Sequence, residues 1–163
     1  MSTFNLDIES LDGAYGVGTY NNRRVKVANA VPGDRWRVRH VHRGRKADIA
    51  EGVELLLSST DRVSAPCDIQ RECGACPWQV MEPAAQRKYK WTQLCENLAG
   101  VVTSDRIQPV VPLSAYYDYR TKSHMPAAGA ADNLTFGFWA KRSRQLVTAR
   151  DCVVQAPPVE AAR

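Results

Sequence analysis

Polar and apolar positions change period three times along the chain. Phe4, Leu6 and Ile8 alternate with Asn5, Asp7 and Glu9, the period-two pattern of a strand with one buried face. Gly13, Gly16 and Gly18 follow, a density that excludes a helix and suits bends. Asn21-Asn22 suits a hairpin turn, because Asn tolerates positive φ. Val25 and Val27 alternate beyond it, and Pro32-Gly33-Asp34 marks a second turn. Trp36, Val38 and His40 then share one face, with Arg35, Arg37 and Arg39 on the other, and His40 and His42 read as part of the packing. Ile49 to Leu57 is a last apolar segment. Four or five short strands within some sixty residues predict a small barrel, which leaves no exposed edges.

The period is lost over residues 61–82, which hold Pro66, Gly74 and Pro77. A helical period returns over 83–98, with Pro83 at the entry, Gly100 at the exit, and Ala84, Trp91, Leu94, Cys95 and Leu98 on one stripe. On that stripe Cys95 reads as core packing, not as a ligand. Alternation resumes at Leu134, Phe136 and Phe138, and Lys141 to Arg144 reads as a hairpin loop before Leu146-Val147. Ala127 to Ala131 reads as a small-residue loop, and the tail from Val153 to Arg163 as a linker stub. The predicted class is mainly β with one or two helices. It comprises a barrel over 1–60, a cysteine-rich loop and helix over 61–100, and a partial β domain over 101–163.

Composition adds what is excluded. The 163 residues are 44% apolar and 24% charged, a globular balance. No run approaches the roughly 18 apolar residues of a membrane span, and the first eleven residues do not read as a secretory signal. A cytoplasmic protein without membrane contact is the expectation. The net charge of +5 matters less than its placement. Between Asn21 and Lys46 stand Arg23, Arg24, Lys26, Arg35, Arg37, Arg39, Arg43, Arg45 and Lys46, against Asp34 alone. Such a strip is either a solvated edge strand or a phosphate-binding face, and its single sign points to nucleic acid.

Three of the five cysteines, Cys67, Cys73 and Cys76, fall within ten residues. An odd count without a signal argues against a disulfide framework and for metal chemistry. Cys152 is the remaining candidate for a fourth ligand. Spacing alone leaves zinc and an iron–sulfur cluster equally placed, since both are held by four thiolates.

The ordered set of motifs resembles the N-terminal half of bacterial SAM-dependent RNA uracil-C5 methyltransferases, the type that modifies 23S ribosomal RNA. Leu11-Asp12-Gly13, Gly16-Val17-Gly18 and Val31-Pro32-Gly33-Asp34 resemble the family's TRAM domain, an OB-like RNA-binding barrel. Cys67-x5-Cys73-Gly74-Ala75-Cys76 resembles its iron–sulfur motif, with Ala75 where a second Gly is usual. Tyr119-Arg120-Thr121-Lys122, Phe136-Gly137-Phe138 and Asp151-Cys152 resemble its central β domain, up to the fourth cluster cysteine.

The resemblance implies a 4Fe–4S cluster on Cys67, Cys73, Cys76 and Cys152, with zinc as the lesser alternative. It adds Arg120 and Lys122 to the RNA-contacting candidates, and places ribosomal RNA ahead of transfer RNA as the partner. In the family a cysteine adds to uracil C6, C5 takes the methyl group from SAM, and a base removes the C5 proton. No glycine-rich strand-to-helix turn that could cradle SAM occurs here, and no catalytic residue is carried over. The expectation is a module that does not bind SAM, is inactive alone, and works with a separate SAM-binding domain. Two alternatives stand beside it. One is a free-standing, metal-stabilised RNA-binding protein. The other is a small electron carrier, against which stands the lack of a second cluster motif.

Overall fold

A computed structural model describes residues 2–130 and 132–162. The chain divides into two units. One contains residues 1–65 and 77–82, the other 66–76 and 83–163. The sequence suggested breaks near 60 and 100. Instead, segment 77–82 returns to the first unit after the cysteine loop, and helix and β segments share the second. Ala131 and Arg163, included in the loop and tail read from the sequence, lie outside the described residues.

The first unit is a curled six-stranded sheet: β1 (Thr3–Asp7), β2 (Ser10–Asp12), β3 (Tyr15–Tyr20), β4 (Arg23–Ala28), β5 (Arg35–His42) and β6 (Asp48–Leu57). The order is β1-β5-β6-β4-β3-β2. β1 and β2 are separated in sequence only by Ile8 and Glu9, and stand at opposite ends of that order. A single bent strand therefore pairs with β5 through one half and with β3 through the other. It closes the sheet into an OB-like barrel with β4 and β6 parallel. Asn21 and Asn22 both adopt positive φ, 49° and 60°, the geometry of a type I′ hairpin turn.

Alternation then sets the core. Leu6, Ile8, Val25, Val27, Trp36, Val38 and Ala50 point inward and are buried, while Arg35, Arg37 and Arg39 point out. Phe4 stacks on Tyr20 at 3.9 Å between ring centroids and lies 4.8 Å from His40. His40 thus shares the inward parity of Trp36 and Val38, as its position in the sequence implied, but stands exposed at the end of that row.

One expectation here is corrected. Gly18 is not a bend: a Cβ at that position would meet the Asp7 carbonyl oxygen at 2.0 Å. It is a site of close strand approach, and Gly13, with φ of 60°, makes the turn.

The second unit holds α1 (Pro83–Asn97), a 3-10 turn (Ser104–Arg106), the sheet β7 (Ala127–Ala128), β8 (Thr135–Trp139) and β9 (Leu146–Thr148), and α2 (Pro157–Ala161). The β8–β9 hairpin forms where Lys141 to Arg144 predicted its loop. α1 forms where the period predicted it, but its stripe does not become a core. No residue of the helix is buried, Leu94 is exposed, and Cys95 is only half-buried. Nor is the tail a loose stub. Val154 and Gln155 are buried, and Arg120 bridges Gln155 in parallel.

Candidate cluster site and basic barrel face

Turns order the cysteine loop. The Gln70 amide donates to the Cys67 carbonyl at 3.1 Å, and the Glu72 and Cys73 amides donate to Ile69 at 3.0 and 2.8 Å. The Gly74 amide donates to the Trp139 carbonyl at 3.1 Å, next to a bridge between Cys73 and Ala140. A Cβ at Gly74 would lie 3.0 Å from that carbonyl, so the small residue serves the docking of loop on hairpin. Lys141 secures the same junction. Its half-buried ammonium donates to the carbonyls of Gln70 at 2.8 Å and Arg71 at 3.1 Å. Burial lowers its pKa, and the neighbouring Cys73 and Cys76 side chains oppose that shift.

Cys152 arrives from the other side. Asp151 has a φ of 54°, and the Gln155 amide donates back to the Cys152 carbonyl at 3.0 Å, which turns the chain. Next to it, the Asp118 and Arg120 amides donate to Val153 and Val154. All five cysteines are free thiols.

Burial raises the pKa of Cys67, and the charges of Cys152 and Cys73 raise it further. Burial likewise raises Cys76; the Arg120 guanidinium opposes this, and Cys152, Cys73 and Cys67 reinforce it. The four sulfurs therefore lie within electrostatic reach of one another, whereas Cys95 is not among these couplings. Among the described residues, no group of three or more His, Cys, Asp or Glu side chains is gathered in a way that could hold a metal ion. Four free thiols are of the number and kind a four-thiolate centre takes, and Cys152 stands 76 positions beyond Cys76 in the chain.

The basic strip is less naked in space than along the chain. Arg23 pairs with buried Asp48, Arg24 and Lys26 with Asp12, Arg35 with Asp7, Arg37 with Glu54, and Arg39 with Glu51. Cross-strand neighbours supply the carboxylates that the strip itself lacks. The Lys26 hydrogen bond lowers the pKa of Asp12, and the Arg23 hydrogen bond lowers that of Asp48. Arg43, Arg45 and Lys46, in the β5–β6 loop, are exposed and carry no ion pair among the described residues. Lys122 is exposed, and Arg120 is half-buried with its charge felt at Cys76.

Sequence reading missed the anchor of the barrel. Asp34, read there as a turn and motif residue and as the lone acid of the basic strip, is buried and accepts from the Val31 amide at 2.7 Å, the Ser59 amide at 3.0 Å and the Trp36 indole at 3.1 Å. Arg62 pairs with it at 2.6 Å, donates to the Asn29 carbonyl and lies over the Trp36 ring. Burial alone would raise the Asp34 pKa; Arg62 and the donated N–H groups outweigh it and lower the pKa. The available signal was a short acid directly after a Pro-Gly turn.

No family model matches the chain. It is 32% identical, over 96% of its length, to an uncharacterized RNA methyltransferase of Thermosynechococcus vestitus, of which it covers 35%. It is 31% identical over 86% of its length to one of Synechocystis, and 29% over 92% to one of Halalkalibacterium halodurans, covering 31% and 33% of them. The chain thus spans about a third of the curated relatives it matches. In fold it is similar to the crystal structure of Pyrococcus abyssi tRNA (uracil-54, C5)-methyltransferase in complex with S-adenosyl-L-homocysteine, with a TM-score of 0.63 and 22% identity over 96% of this chain and 34% of that one. The resemblance read from the motifs is borne out at the level of RNA methyltransferases, and the OB-like barrel with it.

Proposed function

We propose that this chain, which nearly throughout its length matches about a third of the length of each RNA methyltransferase relative, is the RNA-gripping, 4Fe–4S-containing module of a 23S ribosomal RNA (uracil-C5) methyltransferase-like protein. The observation that carries the reading is the convergence of Cys152 on Cys67, Cys73 and Cys76, in a chain with these relatives. The cluster would tie the loop to the segment after β9, closing a long stretch of chain. Arg43, Arg45 and Lys46 supply the free positive charge for RNA phosphates, and the exposed Lys122 adds to it.

Methyl transfer itself needs a SAM-binding domain. Among the described residues there is no parallel sheet flanked by helices, so this module contributes substrate grip and positioning. The decisive test is anaerobic purification followed by an absorption spectrum and iron, sulfide and zinc analysis. Four iron and four sulfide per chain are expected; stoichiometric zinc without sulfide would overturn the cluster assignment. Ribosomal RNA fragments should bind ahead of transfer RNA in a competition assay, and the reverse order would overturn the substrate assignment.

A further inference from the structure

Arg43, Arg45 and Lys46 stand exposed in one short loop between β5 and β6. Like charges this close repel one another, and a loose loop loses conformational freedom when RNA orders it. Arg23 removes part of that freedom beforehand. It opens β4, and Asp48 opens β6, the parallel neighbour of β4, where the loop ends. The Asp48 side chain is 2% exposed. Arg23 Nη2 donates to Asp48 Oδ1 at 2.6 Å and Nε to Oδ2 at 3.1 Å, the two-pronged grip of a guanidinium on a carboxylate. The same Nη2 donates to the Gly44 carbonyl at 2.7 Å. The Arg23 hydrogen bond is the main cause of the lowered Asp48 pKa, and a hydrogen bond from the Gly44 amide adds to it. Gly44 is thus held through both its carbonyl and its amide. A Cβ there would meet the Ala47 carbonyl oxygen at 2.2 Å, so the loop doubles back closely at this point.

We propose that Arg23 is a positioning residue for RNA and not a phosphate ligand: anchored on Asp48, it fixes the backbone at Gly44 so that Arg43, Arg45 and Lys46 meet the phosphates already arranged. Its own charge is matched by Asp48, whereas theirs stay open. The inference rests on the RNA reading above.

The test is fluorescence-anisotropy titration of the full, cluster-loaded chain with a labelled single-stranded oligouridylate. Arg23→Lys keeps the charge but cannot hold a carboxylate and a carbonyl in one planar fork. It should weaken binding at least about threefold, and Arg23→Gln should weaken it to a similar degree. Amide exchange at residues 44–47 should quicken in both. Gly44→Ala disturbs the loop without touching any charge and should weaken binding likewise, which keeps the test open should the Arg23 variants fail to fold. With Arg43, Arg45 and Lys46 all replaced by Gln, Arg23→Lys should remove no further affinity, whereas general damage to the barrel would weaken both backgrounds alike. Near-wild-type affinity of Arg23→Lys beside a weak Arg23→Gln would make Arg23 a phosphate ligand and overturn the proposal. Unchanged exchange in the loop, indifference to Gly44→Ala, or equal losses in both backgrounds would overturn it too. A wild type that does not bind the oligouridylate overturns the RNA reading and the proposal with it, whereas the other outcomes overturn the proposal alone.

Discussion

At the scale of single residues, Asp34 ties four segments of the barrel unit together. It joins the turn at Val31, the start of β5 through Trp36, the chain after β6 through Ser59, and Arg62 beyond. Asp34→Ala leaves the Arg62 charge and three donors without their acceptor, and should destabilise the protein by about 3–5 kcal/mol in denaturant titration. A loss below about 1 kcal/mol would refute this role. The pH dependence follows from the direction of the shift. The folded Asp34 pKa lies below its unfolded value, so the group's stabilisation is complete above the unfolded pKa and is lost as pH falls through the folded one. Acid unfolding of the wild type should therefore include a contribution that Asp34→Asn removes. Gly18→Ala should also destabilise, because the added methyl carbon would overlap the Asp7 carbonyl.

Among the elements, the cysteine loop and the β8–β9 hairpin define each other. Lys141→Met removes two charge-assisted hydrogen bonds to the loop and should cost about 1.5–3 kcal/mol of local order. Lower iron retention and faster amide exchange at residues 70–76 should follow; unchanged exchange would rule the lysine out as a clamp. Cys76→Ala or Cys152→Ser should give colourless or insoluble protein, and soluble brown protein of unchanged iron content would refute the assignment. What sequence alone showed at this scale has a clear physical boundary. Elements with strict alternation or explicit turn chemistry, such as β5 and the Asn21-Asn22 hairpin, were legible because their pattern is local. The surroundings of α1 were not legible, because a helical stripe states a period and not what covers it. The buried tail was equally hidden, since Val154 and Gln155 are held by backbone pairing with a segment more than thirty positions earlier. Among site residues, the three clustered cysteines and Gly74 were legible from spacing, with Cys152 left as the remaining candidate, whereas Lys141, which bonds their loop from the hairpin, carries no motif of its own.

For the whole molecule, charge and binding separate. Six of the nine basic residues of the barrel strip already face carboxylates, so under the proposed RNA-binding role RNA would have to displace those partners to use them. Neutralising Arg43, Arg45 and Lys46 together should reduce the slope of log affinity against log salt for a single-stranded RNA by about 2. Neutralising Arg37 and Arg39 should change it much less. Equal effects of the two sets would show that the ion pairs seen here do not survive RNA binding. Among the described residues, no helix is long and apolar enough to cross a membrane.

The path of the chain between the two units has a practical consequence. Val80 and Met81 are buried, the Val63 amide bonds the Val80 carbonyl, and the Trp78 indole reaches the Gly13 carbonyl, so the barrel is not complete at residue 65. A polypeptide cut there would expose the apolar seat of its own closing segment and should precipitate. One cut after residue 82 would keep that segment, and would carry Cys67, Cys73 and Cys76 with it. Scissors therefore cannot yield a whole barrel free of thiols, and any excised version inherits three hungry sulfurs and no fourth.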